Sequence, residues 1–92
     1  VTAYSYAEQE PKIYSASGVA MLLAIRDSAF ALLKQAGAAR SAEIIRLACL
    51  SGDIYVMHAC LDYLVKNNDL LELSAPHTAL QARVFIRGSG HT

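Results

Sequence analysis

The stretch Ser41–Leu73, SAEIIRLACLSGDIYVMHACLDYLVKNNDLLEL, passes through helix, turn, helix and strand patterns and decides the fold. Ser41 is a good helix cap, and Glu43 follows in the first turn, where the helix dipole favours a negative charge. Ile44, Ile45, Leu47 and Ala48 then form an inward stripe, which predicts a helix ending at Leu50. Ser51–Gly52–Asp53 reads as a tight turn, with Asp53 capping a further helix from Ile54 to about Asn67. The apolar face of that helix holds Ile54, Met57, Cys60, Leu61, Leu64 and Val65. Its other face shows Tyr55, Ala59, Asp62 and Lys66, with His58 on the flank. Asn67–Asn68 supplies a left-handed stop, and Leu70–Leu73 is a short apolar strand.

Downstream, Ala75–Pro76–His77–Thr78 is turn chemistry. From Leu80 the alternation is clean, with Leu80, Ala82, Val84 and Ile86 on one face and Gln81, Arg83, Phe85 and Arg87 on the other, and Arg83 and Arg87 share the outer face with Gln81. Two strands around a turn predict a β-hairpin. Upstream, Ser15 or Ser17 caps a helix running to about Ala36, where Gly37 closes it. The Val19–Ile25 portion is apolar on every side, so it is expected to face both the core and a partner. Arg26–Asp27–Ser28 offers a point at which this helix could split in two. Residues 1–14 read as an arm in which Pro11 interrupts regular structure. Its Tyr4, Tyr6 and Tyr14 suit a short strand, a subunit contact or a loosely ordered terminus. The resulting division is an arm over 1–14, one domain over 15–88 and a flexible tail over 89–92.

Ninety-two residues make a single small core, and 54% hydrophobic residues argue against disorder. Eight basic residues balance eight acidic ones, and the pI is about 7.0. Dedicated nucleic-acid modules are usually far more basic. Cys49 and Cys60 lie in apolar stretches and read as reduced core thiols of a cytoplasmic protein. The longest unbroken apolar run, Val19–Ile25, is seven residues, short of the roughly 20 a membrane span needs.

Helix, helix, tight turn, helix, hairpin is the order of a winged helix-turn-helix domain. Residues 26–87 resemble that superfamily, through the stretch quoted above followed by ARVFIRG (Ala82–Gly88). The resemblance implies a mainly α (α+β) fold, with three helices, a C-terminal hairpin wing and an N-terminal extension. It also implies that the third helix enters the DNA major groove. Tyr55, His58 and Lys66 would then lie near bases, while Arg40, Arg46, Arg83 and Arg87 would touch phosphate. A dimer formed through Tyr4, Tyr6, Val19, Met21 and Leu22 would present two half-sites.

The residue types fit this role incompletely. Base discrimination relies chiefly on Arg, Lys, Asn and Gln, and the outer face of the third helix carries none before Lys66. Residues 51–74 hold Asp53, Asp62, Asp69 and Glu72 against Lys66 alone, a net of −3. Four or five phosphate contacts would give a salt slope of only about −4. Two readings follow. One is a small dimeric transcriptional regulator; the other is a protein-interaction module whose acidic, aromatic third helix binds a protein. No enzyme, cofactor or metal is expected. Cys49, His58 and Cys60 match no common zinc spacing, and His58 and Cys60 lie about 200° apart on a helix.

Overall fold

A computed structural model describes residues 4–48, 51–75 and 78–89. The order is α1 (Tyr6–Ile13), α2 (Ala16–Ala36), β1 (Ala38–Arg40), α3 (Ser41–Ala48), α4 (Ile54–Lys66), β2 (Leu70–Glu72), one 3-10 turn (Leu80–Ala82) and β3 (Val84–Arg87). The strands form an antiparallel sheet in the order β1-β3-β2. The fold is thus mainly helical α+β, with the helices gathered against one face of a small sheet. Cys49, the helix end expected at Leu50, the turn expected at Pro76–His77 and tail residues 90–92 lie outside the described residues.

Capping chemistry sets the ends of α2. Ser15 Oγ accepts the Gly18 N–H at 3.0 Å, and Gly37 closes the helix at φ 80° with its N–H on Leu33 O. The helix does not split at Arg26–Asp27–Ser28. That triplet contains no Gly or Pro, and Arg26 pairs locally with Asp27 at 3.3 Å without disturbing the backbone. With 21 residues and a mean hydropathy of 1.5 in its most apolar window, α2 has the length and composition of a membrane span. Here its Ile25, Ala29 and Leu33 are core residues.

The N-terminal segment departs from its sequence reading. Residues 6–13 form a helix, and it runs through Pro11. A proline near the end of a two-turn helix removes one backbone donor, and packing of α1 on α4 with Ile13 in the core outweighs that loss. In α3, Ile44 is buried and Ile45 and Ala48 pack at the margin, but Leu47 is 50% exposed and leaves the expected stripe. Ser41 is not a cap. It is the first helical residue, fully buried, and its hydroxyl donates to the Leu80 carbonyl.

Asp53 caps α4 as expected, its carboxylate accepting the Tyr55 N–H at 2.9 Å. Beyond the C-terminus of α4, Asn68 takes the left-handed conformation, φ 65°. Met57, Cys60, Leu61 and Leu64 are buried, whereas Ile54, at the exposed start of the helix, is not. The hairpin is present, with β2 paired to β3 so that Leu71 faces Ile86. Its two faces are the reverse of the sequence reading. Phe85 is fully buried and Val84 and Ile86 point outward, because the one aromatic ring in the strand fills the space above the helices. A strand has period two, so that choice turns every neighbour over. Residues 80–82, read as part of the strand, form the 3-10 turn instead. The third strand, β1, is three residues directly after Gly37, too short to show any alternation.

Candidate functional site: the outer face of α4 and the Arg83 cluster

Helical spacing gathers Tyr55, His58, Ala59, Asp62 and Lys66 on one side of α4. The chain's own N-terminal segment covers that side. The Tyr4 hydroxyl donates to Asp62, and the Tyr4 ring lies 5.9 Å from Tyr55 and 6.2 Å from His58, centroid to centroid. From α1, Glu10 accepts the Tyr6 hydroxyl at 2.8 Å and pairs with Lys66 at 3.4 Å. Lys12 reaches Asp53 at 4.0 Å, and the Tyr14 and Tyr63 rings meet edge-on. His58 and Ala59 are consequently buried, although the sequence reading put them on an open flank and face.

Beneath Tyr4 lies a compact ionic cluster. Arg83 donates from Nε and Nη2 to both oxygens of Glu72, at 2.9 and 2.7 Å. Its Nη2 also donates to Asp62. The Ser74 hydroxyl donates to Glu72 at 2.8 Å and accepts the Val84 N–H at 2.9 Å, which ties the cluster to β3. Arg83 is only 7% exposed. Burial alone would lower its pKa, but hydrogen bonds to Glu72 and Asp62 reverse that, so the guanidinium is firmly charged. The same contacts hold the Glu72 carboxyl below its usual range. Burial, together with the adjacent Arg83 charge, pushes the His58 imidazole down to about 4. A cleft of about 360 Å³ opens over the cluster, lined by Tyr4, Asp62, Glu72, Ser74, Leu80 and Arg83.

No protein-family model matches this chain, nor does any curated protein or solved structure.

The residues singled out from sequence converge only in part: Tyr55, His58 and Lys66 share one side of α4, and the arginines lie apart. His58 and Arg83 are buried, and Tyr55 is half-buried beneath Tyr4. Arg83 and Arg87 were expected to share an outer face. Arg83 instead turns to Asp62 and Glu72, while Arg87 stacks 3.9 Å over the Phe30 ring of α2. Arg40 and Arg46 are exposed on β1 and α3, and Lys66 is held by Glu10. The residues named for a dimer contact stand in different surroundings. Tyr4 and Tyr6 are engaged within the chain, Met21 and Leu22 lean on the core, and Val19 is 44% exposed. Asp62 and Glu72 as ligands of Arg83 were missed. They sit 21 and 11 residues from it, beyond any local spacing rule. Cys60 is a buried free thiol, its pKa raised by burial to about 11, and so an unreactive core group.

Proposed function

We propose that the chain is a protein-interaction module on a winged helix-turn-helix scaffold, with α4, the helix that would enter the groove, closed to DNA. The order α2, α3, α4, β2–β3 hairpin supports the scaffold. One observation carries the rest: Tyr4 and α1 occupy the side of α4 that would have to enter the groove. The aromatic and acidic side chains of that helix already contact protein, namely Tyr4 and Tyr14 on either side of this chain's own first helix. The wing arginine closest to α4 is neutralised by two carboxylates, so it offers little to a phosphate backbone. Fold alone does not require DNA binding.

The experiment is a salt titration of binding to a labelled mixed-sequence duplex. The module reading expects no binding at low salt. Salt-dependent binding that weakens when Arg40 and Arg46 are changed to alanine would overturn it in favour of a DNA-binding regulator.

A further inference from the structure

The outer face of the sheet is the surface with most left to explain. Hydrogen bonds from Leu73 N to Val84 O and from Gly88 N to Asp69 O extend the β2–β3 ladder beyond both ends of β2. Alternation along that ladder puts Asp69, Leu71 and Leu73 on the side away from the helices, with Val84 and Ile86 beside them. On β1, Ala38 aligns with Ile86 and Arg40 with Val84. Leu71 and Leu73 are 50% and 57% exposed, Ala38 and Arg40 are exposed, and Val84 and Ile86 are half-buried. A contiguous apolar sheet face flanked by an edge strand is a surface that proteins normally cover.

We infer that this face docks on the same face of a second copy of the chain, as a two-fold dimer centred near Ile86. The charges favour that occupant. Arg40 stands at one corner of the apolar patch and Asp69 at the diagonally opposite corner. Among the described residues, neither side chain is in an ion pair. A two-fold axis lying in the contact plane and crossing that diagonal at right angles carries each Arg40 onto Asp69 of the second copy. The same operation brings Leu71 over Val84 and Ile86 of the second copy. An isologous contact needs just this self-complementarity. Another exposed apolar stripe, Val19 and Leu23 on α2, ends at Asp27, whose charge Arg26 already matches within the chain at 3.3 Å. This inference needs only the sheet register and stands apart from the winged-helix reading.

Sedimentation equilibrium of the full chain, from micromolar to millimolar concentration, tests it. A dimer is expected. Combined Leu71→Lys and Leu73→Lys should make it monomeric, whereas Leu23→Lys should leave it dimeric. Arg40→Asp or Asp69→Arg alone should weaken association about tenfold through two lost rim pairs, and the double swap should restore it. Circular dichroism establishes that each variant is folded; if the leucine variant is not, the charge swap decides alone. A monomer throughout, a dimer indifferent to the leucine variant, or a double swap no better than the single changes would overturn the proposal.

Discussion

The Tyr4 hydroxyl donates to the Asp62 carboxylate, whose other oxygen accepts from Arg83. One side chain of α4 thus joins the segment before α1 to the residue just before the last strand. Burial and the Asp62 carboxylate both raise the Tyr4 pKa, so the phenol remains a donor at neutral pH. Tyr4→Phe removes this hydrogen bond and nothing else. It should cost about 1 kcal/mol in urea unfolding and speed amide exchange in α4. Unchanged stability together with unchanged exchange would mean that Tyr4 does not hold the segment down.

Removing the cation from the cluster should be more damaging. Arg83→Met leaves Asp62 and Glu72 facing each other in a partly enclosed cleft, and a loss of about 3 kcal/mol is expected. Arg83→Lys should recover only part of it, because an ammonium cannot reproduce the two-pronged contact with Glu72. Adding Asp62→Asn and Glu72→Gln to Arg83→Met should recover most of it. A chemical-denaturation series on these variants checks all three expectations; a harmless Arg83→Met would show the cluster to be ornamental.

Acid should weaken the fold before the carboxylates titrate. The unfolded His58 imidazole takes a proton near its ordinary 6.5, whereas the folded one resists until about 4. Between those values the unfolded state binds more protons, so stability falls as pH falls, by about 3 kcal/mol in all. Glu72, whose folded pKa is lowered, adds a loss of the same sign at lower pH. His58→Leu should remove the slope between pH 6.5 and 4 even if it lowers stability at pH 7. Denaturation midpoints across this range decide it: parallel curves for the two proteins would locate the titrating group elsewhere.

What could be read from sequence followed from local chemistry. Ser15, Gly37, Asp53 and Asn68 each act on their own turn, so the ends of α2 and α4 were legible. The core faces of these helices were legible too, because Leu61 and Leu64 repeat within the range of one helix. Arg83 illustrates the opposite case. Its alternation with Phe85 and Arg87 gave the correct period. Which face turns inward was fixed by Phe85 meeting the helices and by Asp62 and Glu72 waiting for the guanidinium, contacts that no window along the chain contains. Tyr4 and His58 were misplaced for the same reason, since only the packing of α1 on α4 encloses them. Pro11 misled by its type: propensity is a weak prior, and burial of Ile13 outweighed it.

Gly18 gives the sharpest test of how α1 sits. In the first turn of α2 a glycine is ordinarily a defect, and alanine should add about 1 kcal/mol of stability there. A Cβ at this position, however, would lie 2.2 Å from the Lys12 carbonyl oxygen and 2.6 Å from that of Ile13. Both are backbone atoms of the last two residues of α1, and neither can swing aside as a side-chain tip could. Gly18→Ala must therefore push α1 away from α2 and loosen its grip on α4. A net loss of about 2 kcal/mol is expected, the usual scale of overpacking. Ala20→Gly, at an exposed site two residues on, serves as the control and should cost about 1 kcal/mol from propensity alone. Thermal unfolding of the two variants distinguishes the cases, and a Gly18→Ala protein as stable as the parent would show that the start of α2 is not pressed against the end of α1.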